Sequence, residues 1–288
     1  MRKTVHKKSI IAKFFKALLG GLFIVFLGTA GMDAADHRGN LSESVIGKLI
    51  FGKSGSRCPA EMVFVSSETG GFCIDKFENS AGDGCNIKNP STVSESQDSL
   101  NIFACQPVSV VNASPWTNIT QDQAIRACAK VGKRLPTNKE WQAAALGTPD
   151  PDKDWGVDDC QVAKNWPSQP GLTGSGQKCI SYSGAFDMIG NVWEWVSGAV
   201  VDGKFEGREL PASGYISAMN ASDAMPSATS ETPSATMFND QMFIKNTETR
   251  GILRGGYFDN KSDAGQYAVY AVTLPNNWAG TMGFRCVK

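Results

Sequence analysis

Short apolar runs separated by polar turns make up most of the chain from residue 57 onward. Two of them, PAEMVFV (59–65) and GGFCIDKFE (70–78), flank a Ser/Glu/Thr/Gly turn and predict a pair of strands. Three more, GILRGGYF (251–258), AGQYAVYAVTL (264–274) and TMGFRCVK (281–288), predict strands further along. Helices and strands do not alternate as in βαβ units, and no internal repeat occurs. The pattern therefore predicts an irregular, loop-rich α+β domain.

Two segments are typical of capped helices. Each has a threonine at the N-cap, Gln or Glu three residues later, and a glycine beyond the last apolar position. These residues are Thr120, Gln123 and Gly132 in the first helix, and Thr137, Glu140 and Gly147 in the second. Pro136 disfavours helical geometry at Leu135, which places the start of the second helix at Thr137. Trp141 is expected to anchor the core.

Long polar stretches separate these elements. Residues 80–100 and 148–186 are rich in Gly, Pro, Asp and Ser, and we expect them to be loops. Residues 202–250 are rich in Ser, Ala, Thr and Asn, and strong patterns resume after them. We interpret 202–250 as a surface insertion within one domain, 57–288.

The amino-terminal segment has the pattern of an export signal. Six basic residues precede a short apolar run, ALLGGLFIVFLG (17–28), and small residues allow cleavage after Ala30 or Ala34. Residues 1–32 are therefore expected to be a signal peptide, or an uncleaved membrane anchor. Residues 33–56 are polar and are expected to form a linker. The protein is accordingly predicted to be exported, as a secreted, periplasmic or cell-surface protein.

Charge and histidine content exclude several function classes. The 28 basic and 28 acidic residues balance, but without the six basic residues at the amino terminus 22 stand against 28, a net charge of −6. A nucleic-acid partner is not expected for an acidic domain. His6 and His37 are the only histidines, so the predicted domain has no imidazole for a Ser-His-Asp triad or a histidine metal site.

All eight cysteines lie beyond the apolar run, and an even number in an exported chain predicts disulfides. Eight cysteines allow 105 pairings, so their spacing alone does not select one. No CxxC motif supports a zinc or redox site.

Five motifs in order resemble the formylglycine-generating enzyme (sulfatase-modifying factor) family. They are FCIDKFE (72–78), KRLPTNKEWQAAA (133–145), GAFDMIGNVWEWV (184–196), LRGGYF (253–258) and MGFRCV (282–287). The resemblance covers about residues 57–288. It implies a disulfide-bonded variant of the C-type lectin fold, with two helices around a small antiparallel sheet.

The resemblance also implies a structural calcium ion at DMIGNVWEW. Asp187 and Glu194 would bind it through their carboxylates, and Gly190 and Val192 through their carbonyl groups. Oxygen donors around a tight turn suit this cation. The alternative is that Asp187 caps a turn and Glu194 pairs with an arginine.

One disulfide is implied by the family, which commonly links the helix before KRLPT to the cysteine of GFRC. Here that pair is Cys128 and Cys286. With it set aside, we expect near neighbours to pair, as Cys58–Cys73, Cys85–Cys105 and Cys160–Cys179.

The chain lacks the residues that carry out the chemistry of the family. The formylglycine-generating enzymes carry two copper-binding cysteines just after the RGG segment, but no cysteine lies between Cys179 and Cys286 here. Related iron-dependent sulfoxide synthases need histidines, which the domain lacks. Copper is therefore not expected, and oxidase activity is the disfavoured alternative. No catalytic residue is assigned.

The remaining candidate site is the segment 257–281, where aromatic, polar and small residues interleave as in binding surfaces. The same pattern includes Asp263, Gln266, Asn276 and Thr281. Related lectin-like domains serve as the variable proteins of diversity-generating retroelements. The segment resembles the variable region of those proteins. The residues expected to contact a ligand are Tyr257, Asp259, Asn260, Lys261, Tyr267, Tyr270, Thr273, Asn277 and Trp278.

We therefore interpret the chain as an exported ligand-binding or surface-binding protein, whose partner is an unidentified protein or glycan. Formylglycine generation and a passive structural module are the alternatives. Contact with a membrane is expected only through an uncleaved anchor.

Overall fold

A computed structural model describes residues 57–67, 70–151 and 153–288. The predicted signal peptide or anchor (1–32) and the linker (33–56) lie outside these residues. No helix of the described ranges has the length and apolar character that a membrane span requires.

Three α-helices occur in the described residues: α1 (Val93–Asn101), α2 (Gln121–Lys130) and α3 (Asn138–Ala145). The strands of the first half are β1 (Met62–Val65), β2 (Phe72–Asp75), β3 (Asn79–Ala81) and β4 (Pro107–Ser109). Those of the second half are β5 (Trp193–Val201), β6 (Lys204–Phe205), β7 (Arg208–Glu209), β8 (Gly214–Met219), β9 (Pro226–Ser230), β10 (Gln241–Ile244), β11 (Thr249–Gly255), β12 (Gly265–Ala271) and β13 (Met282–Phe284).

Local capping explains where α2 and α3 begin. The hydroxyl oxygens of Thr120 and Thr137 accept from the backbone N–H three residues later, and the side chains of Gln123 and Glu140 accept from the N-cap N–H groups in return. Both predicted capping boxes are thus confirmed. Gly132 follows α2 with φ of +67°, as the residue after a helix end often does.

Helix α1 lies in a stretch that we expected to be a loop. Thr92 caps it, and its buried face is formed by Ser96, Ser99 and Leu100. Because two of these three residues are small and polar, the hydrophobic pattern gives no sign of a helix here. Ser96 is satisfied in the interior, since its hydroxyl accepts from Trp116 Nε1 and donates to the carbonyl of Asn118.

Nine strands form the main sheet, in the order β7-β6-β5-β11-β12-β10-β8-β9, with β13 added beside β5. Most neighbours are antiparallel, but β10 runs parallel to β12 and β13 parallel to β5. Two small sheets, β1-β2 and β3-β4, complete the fold.

The α+β, loop-rich class is confirmed, but two details of the expected fold are wrong. The described residues contain three helices rather than two, and the principal sheet is large and mixed rather than small and antiparallel. The additional strands β6 to β10 come from residues 202–250, which we had interpreted as a surface insertion. Ile216, Met225 and Met242 of this segment are fully buried.

The sheet separates the two larger apolar cores of the described residues. One contains Trp141 of α3 with Ile216, Met242 and Val269. The other contains Trp116, Trp195, Leu253 and Phe284, along with α2. Trp141 is completely buried, as expected of a core anchor.

Four disulfides join the pairs named above, Cys58–Cys73, Cys85–Cys105, Cys128–Cys286 and Cys160–Cys179. Together they use every cysteine of the sequence. The Cys128–Cys286 bridge spans 158 residues and ties α2 to the segment after β13. That segment also pairs through Val287 with Ile74 and Arg134, so it is fixed on both sides.

Candidate functional site

A groove of about 400 Å³ opens on the sheet face that carries Tyr270. Its lining is aromatic with a few polar groups: Trp193, Phe243, Tyr257, Asn260, Asp263, Tyr270, Thr281 and Met282. Such a concave surface, with apolar walls and few polar groups, is typical of ligand sites.

Strand register brings the walls of the groove together. Phe243 of β10 lies beside Tyr270 of β12 in the parallel pairing, and Met282 of β13 lies beside Trp193 of β5. The Tyr270 ring is 5.5 Å from the Trp193 ring and 6.2 Å from the Phe243 ring, centroid to centroid. These residues sit on strands, so the backbone fixes their positions.

The turn after β11 places the rest of the lining. Gly255 and Gly256 have φ values of +89° and +93°, which only glycine adopts readily. A Cβ on Gly255 would lie 2.7 Å from the Met188 carbonyl oxygen, and one on Gly256 would lie 2.3 Å from Ala264 Cβ. The two glycines of LRGGYF therefore let the chain turn closely and lead Tyr257 to the groove.

Only part of the predicted ligand set meets at this groove. Tyr257, Asn260 and Tyr270 line it, as do Asp263 and Thr281 from the same segment. The other predicted residues lie elsewhere.

Tyr267 and Tyr270 are three residues apart on β12, so their side chains face opposite sides of the sheet. Tyr267 stacks on Phe238 at 6.1 Å and packs against the other core. Thr273 is buried.

Asp259, Lys261, Asn277 and Trp278 also do not line the groove. Asp259 pairs with Lys164 at 2.7 Å. The side chains of Lys261 and Asn277 are exposed, and Trp278 is 41% exposed. The predicted set thus divides between the groove and its surroundings.

Sequence reasoning missed Trp193, Phe243 and Met282. Trp193 and Met282 were not in the predicted ligand set, and Phe243 lies in the segment 202–250 that we interpreted as an insertion. The short apolar run in QMFI (241–244) was the one signal that could have placed Phe243 on a strand.

A buried charge cluster lies under DMIGNVWEW. Both carboxylate oxygens of Glu194 accept from the guanidinium of Arg285, at 2.6 to 2.8 Å, and Oε2 also accepts from Trp141 Nε1 at 2.7 Å. Neither charged side chain is exposed beyond 1%. The arrangement matches the arginine pairing that we gave as the alternative for Glu194.

Two further carboxylates share this interior. Asp187 Oδ2 accepts from the Gly174 N–H at 2.6 Å, and Glu78 Oε2 accepts from Asn191 Nδ2 at 2.7 Å. Asp187 Oδ1 and Glu78 Oε1 are buried and have no hydrogen-bond partner. Burial raises the pKa of Asp187 to about 7. Burial and the neighbouring carboxylates raise the pKa of Glu78 well above its usual range.

The expected calcium ligands fit this geometry in part. Asp187 Oδ1 offers a free oxygen, whereas Glu194 is already satisfied and would have to release one bond to Arg285 or Trp141. Gly190 and Val192 belong to the same turn, and both residues are buried. Within the described ranges, no three His, Cys, Asp or Glu side chains are arranged to hold a metal ion.

A second cavity, of about 360 Å³, lies away from these residues. Lys88 at its edge donates to the Gly82 carbonyl and to Asp83. None of the residues predicted as ligand or metal contacts lines it.

Most of the chain matches a known protein family. The sulfatase-modifying factor enzyme 1-like domain family matches residues 67–288. No curated protein sequence matches the chain.

Several solved structures are similar at low identity. They include the Major Tropism Determinant I1 variant (18% identity, TM-score 0.42, covering 80% of this chain and 53% of that one). PvdO from Pseudomonas aeruginosa gives 14% identity, a TM-score of 0.39, and coverage of 76% and 80%. Treponema denticola variable protein 1 gives 14% identity, a TM-score of 0.40, and coverage of 80% and 99%. The chain spans about half the length of the Major Tropism Determinant.

Proposed function

The chain belongs to the sulfatase-modifying factor enzyme 1-like domain family, and we propose that it is a binding protein that holds a ligand in the groove around Tyr270. The observation that carries this proposal is the aromatic lining of that groove, on three strands and the turn after β11. Aromatic side chains give a large contact area with little loss of rotamer freedom, which suits recognition.

The cysteines argue against the oxidase chemistry of the formylglycine-generating enzymes. All eight are paired in disulfides, so no thiol is left to bind copper or to exchange with a substrate cysteine. A disulfide has no ionisable thiol and cannot take the place of that thiolate pair.

A rigid sheet supports the binding role. Four groove residues, Trp193, Phe243, Tyr270 and Met282, stand on paired strands, and the Cys128–Cys286 bridge fixes the segment beyond β13. Ligand binding then costs little ordering of the backbone. The side chains of 257–281 that line the groove can differ between related proteins without altering the fold, as expected of a C-type-lectin-like variable region.

Disulfide use also bears on location. Four bridges form and persist in an oxidising compartment, which favours export of the domain. A secreted, periplasmic or cell-surface position is part of the proposal.

We also propose a structural calcium ion beside Asp187. Three buried carboxylates, Glu78, Asp187 and Glu194, face the single guanidinium of Arg285, and Asp187 Oδ1 has no partner. A hard divalent cation would offset the excess negative charge and supply the missing contact. The Gly190 and Val192 carbonyls and one Glu194 oxygen would complete its ligands.

The binding proposal is tested by display of the purified protein on arrays of peptides and glycans. We expect capture of at least one class, and its loss in a variant that combines Phe243→Ala and Tyr270→Ala. Phe103→Ala is the matched control, because Phe103 is 92% exposed and does not line the groove. Melting curves verify that each variant is folded.

Two results would contradict the proposal. One is capture that survives the double substitution. The other is formylglycine formation when the protein is incubated with a cysteine-containing sulfatase peptide, copper, oxygen and a reductant.

A further inference from the structure

Of the residues that the structure describes, Asp263 is the only charged one that lines the groove. It lies in the short helical turn Lys261–Asp263, and its Oδ1 accepts a hydrogen bond from Gln241 Nε2. No salt bridge reaches it from the described residues. Lys261, two positions earlier, acts on it electrostatically but forms no ion pair with it. The carboxylate is half-buried beside aromatic rings, and its Oδ2 accepts no hydrogen bond from the described residues.

The rings around this carboxylate suit a positive charge. Tyr257, Tyr270 and Phe243 line the same groove, and a cation near the face of an aromatic ring is attracted by its quadrupole. Among the described residues, no Lys, Arg or His lines the groove to supply that charge. The groove thus combines a carboxylate, which forms no ion pair with the described residues, with aromatic rings, which attract cations.

We propose that the groove takes a basic side chain, lysine or arginine, from a protein partner, with Asp263 as its counter-ion and Tyr270 as its principal ring contact. This proposal rests on the binding function above and names the chemistry that the groove selects. The aliphatic stem of the basic residue would pack along Phe243 and Met282, and its charged head would reach Asp263.

The test uses small probes and the indole signals of the seven tryptophans. The protein is labelled with ¹⁵N-tryptophan, and W193F assigns the Trp193 signal. It is then titrated with Nα-acetyl-arginine methylamide, Nα-acetyl-lysine methylamide, the norleucine analogue that lacks the charge, and methyl α-glucoside. We expect the Trp193 signal to move with the two basic probes and to respond at least about tenfold more weakly to norleucine.

Variants separate the role of Asp263 from general folding. D263N should weaken binding of the basic probes about tenfold. D122N is the matched control: Asp122 pairs with Arg126 on α2, does not line the groove, and its loss should leave the titration unchanged. A melting temperature close to that of the unmodified protein confirms that D263N is folded.

The inference is overturned by no shift with either basic probe, by an equal response to norleucine, or by unchanged binding of the basic probes to D263N. A shift with methyl α-glucoside that D263N does not affect would also overturn it, while leaving the binding function of the groove intact. Capture on the arrays that survives the Phe243→Ala and Tyr270→Ala double substitution would instead reject the binding function of the groove.

Discussion

Glu194 and Arg285 form a bidentate ion pair that solvent does not reach, with Nη2 to Oε1 at 2.6 Å. Trp141 donates to the same carboxylate, so three distant parts of the chain, α3, β5 and the segment after β13, meet at one charge. The guanidinium also donates to the Asp75 and Phe186 carbonyl oxygens. Arg285 is therefore the main counter-charge for the buried carboxylates.

Arg285→Met should destabilise the protein by about 3–5 kcal/mol, because it leaves a buried carboxylate without its partner. Arg134→Ala provides the control. It removes an ion pair of similar geometry with Glu140 at the surface, and should cost at most about 1 kcal/mol. Denaturant unfolding with the disulfides intact measures both losses. Equal losses would show that burial does not set the importance of the Glu194 pair.

The Cys128–Cys286 bridge should contribute more to stability than the shorter bridges do. In the chain-entropy account, a loop of 158 residues restricts the unfolded chain more than one of 20, by about 2 kcal/mol. C128A/C286A should therefore lose about 2 kcal/mol more than C85A/C105A in denaturant unfolding. Similar losses would contradict this account. Mass spectrometry of the non-reduced protein checks the pairing itself, and a Cys128–Cys160 link would overturn it.

The protein should melt at a higher temperature in calcium than in a chelator. The difference should be about 2–4 °C for each kcal/mol by which calcium binding stabilises the folded state. Asp187→Ala should abolish this rise, because it removes the carboxylate with the unpartnered oxygen. Asp223→Ala is the control, since Asp223 is also buried but pairs with Arg208. An unchanged melting temperature in the unmodified protein would reject the calcium site.

Stability should fall as pH rises because of Asp240. Its Oδ1 is buried without a partner, and burial, together with the nearby Asp150 carboxylate, raises its pKa well above 3.8. The folded state then binds the proton more tightly than the unfolded state. The stabilising contribution is full below about pH 3.8 and is lost as pH rises through the folded-state pKa.

D240N removes this titration, so its stability relative to the unmodified protein should improve with rising pH. Unfolding measured from about pH 4 to about pH 7 follows the change. D83N changes a fully exposed aspartate and is the control. Its free energy of unfolding should vary with pH in parallel with that of the unmodified protein. A D240N curve parallel to it as well would contradict the assignment.

Local signals explain what the sequence could predict. The helices α2 and α3 depend on capping residues three positions apart, and both were located to within a residue or two. Helix α1 was missed because Ser96 and Ser99 form its buried face. The strands of 202–250 were missed because they are short, and many of their side chains are small or polar.

The groove was found in part for a similar reason. Tyr257, Asn260 and Tyr270 belong to one continuous segment, whose composition indicated a binding surface. Phe243 and Trp193 join them only through strand pairing with β12 and β13, which no local pattern reveals. The same limit applies to Arg285, whose pairing with Glu194 spans 91 residues.

The long bridge has a consequence for synthesis. The polypeptide emerges amino terminus first, so Cys160 and Cys179 become available to Cys128 well before Cys286 does. An early wrong pair can be corrected only by attack of a thiolate on the existing disulfide. The yield of native protein should therefore depend on a compartment that reshuffles disulfides as well as forms them, and a host that only oxidises would accumulate scrambled chains.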